Sequence, residues 1–214
     1  LVNPVNRFPR LRVEADGLAC TRGGRAIFRD ISFSIGAGGT LAVTGPNGAG
    51  KSSLLRIMAG LLDPSGGRLA IRAENGGDED AEAPLHYFGH LDGLKPAMSL
   101  AENLRYWCRI YDRPAGSGAL RAATGRLGLA HALDLPVGVF SAGQRRRAGL
   151  ARIMLAPRPI WLLDEPTSAL DKDGEAILGE VMAEHLEAGG VIVAATHLDL
   201  PVRADLKLEM AVPA

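Results

Sequence analysis

The sequence predicts an α/β fold: a core with a mostly parallel sheet, an antiparallel β subdomain and an inserted α-helical subdomain. Three observations carry this reading. Apolar runs of strand length recur at Thr40–Thr44, 160–163 and Val191–Ala195, each leading through polar or glycine-bearing residues into a helix-like segment. The last two lack alternation, as strands covered on both faces do, and strand, loop and helix in repetition build a parallel sheet. Residues 11–15, 31–35 and 68–72 alternate instead, the pattern of half-exposed antiparallel strands. Between about residues 93 and 140 the strand pattern disappears.

In that stretch Leu100, Leu104, Trp107 and Tyr111 fall three or four apart, giving one helix an apolar face. A second helix is expected over 119–127, a short third over 129–133 and, beyond the insertion, another over 145–156. Glu74, Asp78, Glu79, Asp80 and Glu82 surround Gly76-Gly77 and read as a solvated loop, since like charges so close repel. A single domain is expected over residues 11–208, with the helical insertion at about 93–140 and a tail over 1–10.

Composition narrows the class. With 47% hydrophobic residues in 214, a core forms and wholesale disorder is excluded. The 24 basic side chains balance 24 acidic ones, which argues against a nucleic-acid partner. Cys20 and Cys108 lack disulfide-framework or metal-ligand spacing and read as small buried hydrophobes in a reducing compartment. No apolar run approaches the roughly 18 residues of a membrane span, and residues 1–12 lack the apolar stretch of a signal peptide. A soluble intracellular chain is expected. Its 27 glycines call for a reason.

Part of that reason is Gly45-Pro46-Asn47-Gly48-Ala49-Gly50-Lys51-Ser52, which satisfies G-x-x-x-x-G-K-[ST] directly after a strand and before the helical Ser53-Leu54-Leu55. The glycines let backbone N–H groups curl around an anion, and the helix N-terminus adds partial positive charge. Lys51 is expected to reach the β- and γ-phosphates of a nucleotide and Ser52 to coordinate Mg²⁺, with residues 45–53 forming the binding set. This makes the core a P-loop NTPase. The strand at 160–163 ends in Asp164-Glu165, at the sheet edge where open α/β folds bind ligands. Asp164 is the expected Mg²⁺ partner, and Glu165 the general base for an attacking water. Alternation would send these two neighbours to opposite faces. Ser141-Ala142-Gly143-Gln144 opens a helix and doubles as a capping box, two compatible readings because a capped helix start with a bare glycine also suits an anion. Arg145-Arg146-Arg147 covers most of a helix circumference, which fits a solvated face or salt bridges better than nucleic acid.

Taken in order, these segments resemble an ABC-transporter nucleotide-binding subunit over about residues 11–208. Residues 141–144 stand where that family carries its signature, with Phe140 and Ala142 in place of the usual leucine and glycine. Ser168-Ala169-Leu170-Asp171 matches the loop that faces the partner subunit, and Thr196-His197 matches the switch histidine. The resemblance implies ATP and Mg²⁺ as cofactors and a head-to-tail dimer with a second copy of the chain. Each ATP would sit between Lys51 and Glu165 of one copy and Ser141, Gly143 and Gln144 of the other. His197 would contact the γ-phosphate. Arg22 stands where the family stacks an aromatic on adenine, and a guanidinium also stacks on a base. His90 replaces the usual glutamine; since Mg²⁺ prefers oxygen, contact through water or a relay to a membrane partner fits it better than direct coordination.

Arg22-Gly23-Gly24-Arg25, Gly89-His90-Leu91-Asp92-Gly93-Leu94-Lys95-Pro96 and the signature together are similar to the ATP-binding subunit of bacterial cytochrome c maturation systems, a haem exporter. That likeness implies integral membrane permease partners and a peripheral place on the cytoplasmic face of the inner membrane. No Cys-x-x-Cys-His occurs, so haem would be handled by those partners. The same residues suit an exporter subunit for lipid, polysaccharide or drug. A soluble ABC ATPase acting on DNA or ribosomes would carry a coiled-coil insertion or a second such domain. A kinase or GTPase would not account for residues 141–144 or His197.

Overall fold

The computed structural model describes residues 8–74, 85–89 and 91–212. The chain divides into two compact units, one drawn from Leu1–Gly89, Arg158–Pro166 and Met182–Ala214, the other from His90–Pro157 and Thr167–Val181.

The first unit holds two sheets. β1 (Leu11–Arg22), β2 (Arg25–Ile35) and β4 (Gly66–Ala73) form an antiparallel sheet in the order β2-β1-β4. A period of two puts Leu11, Val13 and Ala15 on the buried face. The register then slips between Ala15 and Leu18, and Leu18 and Cys20 resume the same face. This irregularity explains why both strands outrun the alternating residues 11–15 and 31–35. An inserted residue breaks the period at Asp16-Gly17, and Asp30 interrupts β2 with a φ of 54°.

The second sheet comprises β3 (Thr40–Thr44), β5 (Leu85–Phe88), β6 (Ile160–Asp164), β7 (Val191–Ala195) and β8 (Leu206–Glu209), in the order β5-β6-β7-β3-β8. Each neighbouring pair runs parallel, so their carboxyl ends share one edge. β6 and β7 are buried throughout, as their unbroken apolar runs require. β3 continues through the glycine-rich loop into α1 (Lys51–Met58), whose Leu54, Leu55, Ile57 and Met58 join a core shared with Leu41, Val43, Leu162 and Val193.

The second unit carries α2 (Leu100–Ile110), α3 (Ser117–Arg126), α4 (Ala142–Leu155) and the start of α5 (Lys172–Glu187). α2 opens on a capping box in which Ser99 and Glu102 exchange side chain–backbone hydrogen bonds. The expected helix over 129–133 is only a 3₁₀ turn, Ala130–Ala132, and α4 begins three residues before position 145.

One reading is corrected and another is narrowed. Glu74 is not part of a solvated loop. It pairs with Arg10 at 2.8 Å and Arg12 at 3.4 Å, and accepts from the Ala37 amide at 3.2 Å. The other acidic residues of that run lie outside the described residues. Of the two readings for the three arginines of α4, the salt bridge is found at Arg145 with Asp92, and the solvated face is not. Arg146 is buried, Arg145 donates to the Phe140 carbonyl at 2.6 Å and pairs with Asp92, and Arg147 donates to the Leu127 carbonyl. A guanidinium has five donors on a long apolar stem, so it can brace main-chain carbonyls from inside a unit.

His185 near the end of α5 is buried, stacked on Trp161 at 3.9 Å between ring centroids and flanked by Phe8. Burial lowers its pKa from 6.5 to about 4, against the pull of the Val191 and Pro159 carbonyls. The unfolded chain therefore takes up a proton near pH 6.5 that the folded chain refuses until about pH 4. Stability is full above that window and falls by about 3 kcal/mol as pH drops through it. His185→Phe retains an aromatic stack and is expected to flatten this part of the pH–stability curve. Denaturant melts at pH 7 and pH 4.5 for both proteins check it; equal losses of stability would contradict the assignment.

Candidate functional site

The loop between β3 and α1 folds as a phosphate cradle. Gly50 caps α1 at a φ of 96°, where a side chain would be strained and a Cβ would press on Ile27 at 2.7 Å and Phe28 at 2.9 Å. Only glycine lets the helix start this close to β2. No side chain caps α1, so its first amides remain for a ligand. The Lys51 ammonium donates to the Gly45 carbonyl at 2.7 Å and the Pro46 carbonyl at 3.1 Å, and its residue is 7% exposed. The cation is thus held against the loop it is expected to serve.

At the end of β6, Asp164 is 5% exposed and accepts from the Ser52 hydroxyl at 3.0 Å through Oδ1. Two hard oxygen donors side by side, a hydroxyl and a carboxylate, are a donor set that fits Mg²⁺. Oδ2 of the same carboxylate accepts from the Tyr87 hydroxyl of β5 at 3.4 Å. Burial raises the Tyr87 phenol above its ordinary value, so it stays a donor at neutral pH.

Glu165 is the next residue, yet simple alternation does not set its direction. Its φ is 49°, a left-handed conformation that is costly for a side chain of this size. Its amide donates to the Ala195 carbonyl at the end of β7. The turn brings Glu165 Oε2 within 2.8 Å of His197 Nδ1, so two strand ends deliver an acid and an imidazole to one place. Thr196 fixes that second strand end: its hydroxyl donates to the Leu198 carbonyl and accepts from the Leu198 amide, both at 2.9 Å. Tyr87 is not singled out by the sequence, and Thr196 is named there only as the residue before His197. The signal for Tyr87 was its place on a short strand beside β6; the signal for Thr196 was a hydroxyl just before the switch histidine.

In the second unit the capping box at the start of α4 is formed. The Ser141 amide donates to Gln144 Oε1 at 2.9 Å, and the Gln144 amide donates to Ser141 Oγ at 3.2 Å. A Cβ on Gly143 would lie 2.9 Å from the Ala169 carbonyl, so glycine lets the loop at 168–171 pack on this helix start. Asp171 in that loop accepts from the Gly174 amide and anchors the start of α5. Arg22 closes β1 at the hairpin opposite Arg25, exposed and on the strand pair that abuts Gly50. His90 lies outside the described residues.

The structure therefore gathers Lys51, Ser52, Asp164, Glu165 and His197 within one unit and places Ser141, Gly143 and Gln144 in the other. Residues 28–168 match the family model described as ABC transporter. The chain is 51% identical over 190 residues to the cytochrome c biogenesis ATP-binding export protein CcmA of Paramagnetospirillum magneticum, covering 87% of this chain and 88% of that protein. It is 48% identical over 202 residues to the protein of the same name from Rhizobium meliloti, covering 94% and 98%. Its fold matches the structure of a putative ABC transporter ATP-binding protein from Pyrococcus furiosus with a TM-score of 0.79 at 21% identity, over 93% of this chain and 97% of that one. A phosphate cradle, an acid pair at a parallel strand end and these relatives agree: the chain belongs to the ABC transporter family, as one of its ATP-hydrolysing subunits.

Proposed function

We propose that this ATPase drives haem export for cytochrome c maturation, working as a head-to-tail dimer that passes the energy of hydrolysis to integral membrane permease partners. The observation that carries the catalytic part is the 2.8 Å contact of Glu165 with His197, on the sheet edge that also holds Ser52 against Asp164. The cargo reading is supported by the relatives named for cytochrome c biogenesis export, 48–51% identical over most of the chain.

In this reading Lys51 leaves the carbonyls of Gly45 and Pro46 and turns to the β- and γ-phosphates, while the amides of residues 45–53 close around them. Ser52 and Asp164 hold Mg²⁺, which when bound offsets phosphate charge. Glu165 accepts a proton from the attacking water as its oxygen bonds to the γ-phosphorus and the bond to ADP breaks. His197 holds the Glu165 carboxylate through Nδ1 and keeps Nε2 for a γ-phosphate oxygen, donating when the ring is protonated. The second copy supplies Ser141, Gly143 and Gln144 at the start of its α4. Arg22 stacks on adenine from the hairpin next to the cradle. Loss of the bridging γ-phosphate opens the dimer, which converts chemistry into motion.

The permeases place the subunit on the cytoplasmic face of the inner membrane, and His90 relays the nucleotide state to them. Among the described residues no helix is long and apolar enough to cross a membrane. α2 offers a surface for a protein partner: Tyr106 and Ile110, one turn apart, are 37% and 48% exposed. The test is to purify the protein with its membrane partners from its native host and record the absorption spectrum. A haem band with cytochrome-maturation membrane proteins is expected. Partners of a different transporter and no haem would overturn the cargo assignment.

A further inference from the structure

The Asp164 carboxylate is held from two sides. Oδ1 accepts from Ser52 on α1, and Oδ2 accepts from the Tyr87 hydroxyl on β5. Strand register puts Tyr87 there: it pairs with Leu162 in the parallel β5–β6 ladder, and Asp164, two residues further, projects from the same face as Leu162. The path Tyr87–Asp164–Ser52 thus ties β5 and β6 to the start of α1.

A carboxylate fixed by one hydrogen bond can still rotate about its Cβ–Cγ bond, and a donor on each oxygen removes that freedom. We propose that Tyr87 is a positioning residue that sets the orientation of the Asp164 carboxylate for Mg²⁺. Its contact with the site is the hydrogen bond to Asp164, and it acts through that carboxylate. In the sequence, β5 ends at Phe88, two residues before His90. The inference rests on the reading of Ser52 and Asp164 as the Mg²⁺ pair.

The test is Tyr87→Phe, which removes one oxygen and leaves the ring. A fluorescent non-hydrolysable ATP analogue is titrated onto each protein in EDTA, and then at rising Mg²⁺. Affinity in EDTA is expected to be unchanged, while the Mg²⁺ concentration that half-restores tight binding rises about three- to tenfold in Tyr87→Phe. Unchanged Mg²⁺ dependence in Tyr87→Phe would overturn the role of Tyr87, as would an equal loss of affinity in EDTA, which marks a general structural effect. If wild-type binding itself ignores Mg²⁺, the Ser52–Asp164 assignment fails, and this inference with it.

Discussion

Glu165→Gln is expected to lower ATP turnover by about 10²–10⁴-fold while ATP still binds, because an amide of the same shape accepts no proton from water. The substitution is close to isosteric, so the left-handed turn after β6 and the approach to His197 at 2.8 Å are retained. What disappears is the base. With hydrolysis blocked, the γ-phosphate that bridges two copies persists, and an ATP-dependent dimer should accumulate. Turnover assays and sizing with and without ATP read both effects. Wild-type turnover in this variant would remove Glu165 from the chemistry.

The second large effect is expected at Lys51. Lys51→Met keeps the aliphatic stem that packs into the loop and deletes the ammonium, so the readout isolates charge. A hydrogen bond to a charged group contributes about 1.5–3 kcal/mol, which corresponds to a loss of about 10- to 100-fold in affinity for an ATP analogue. Thermal stability should change little. The ammonium now held by the Gly45 and Pro46 carbonyls is a local contact, and Met is a good helix former at the first position of α1. An affinity equal to that of wild type would show that Lys51 stays folded on its own loop.

Motifs with fixed spacing were legible in the sequence, and features made by distant chain segments were not. The strands β3, β6 and β7 were found because burial on both faces leaves an uninterrupted apolar run. β5 and β8 escaped because each has four residues at an outer position of the sheet, and Leu206-Lys207-Leu208-Glu209 mixes charge into a largely exposed strand. The length of β1 escaped because a register shift breaks the period at Asp16-Gly17. At the site, the residue types of Lys51, Ser52, Asp164 and Glu165 followed from motif and strand end. The direction of Glu165 did not, since a φ of 49° overrides alternation. Tyr87 depends on a ladder register between segments more than 70 residues apart, which single-sequence periodicity does not encode. For Arg145, Arg146 and Arg147 the sequence left a solvated face or salt bridges open, and could not show the Phe140 and Leu127 carbonyls that two of them reach.

The central claim is that each ATP site is assembled from two copies of this chain, and the most direct measurement is complementation between two disabled variants. Lys51→Met removes the cation of the phosphate loop, and Ser141→Arg blocks the start of α4. Each alone should lack turnover. In a mixed dimer, the loop of the Ser141→Arg chain meets the intact α4 of the Lys51→Met chain, so one of the two sites is whole. Half the dimers in an equal mixture are mixed, so about a quarter of wild-type ATPase activity is expected if the two sites act independently. A mixture as inactive as its components, with mixed dimers present, would contradict the shared site.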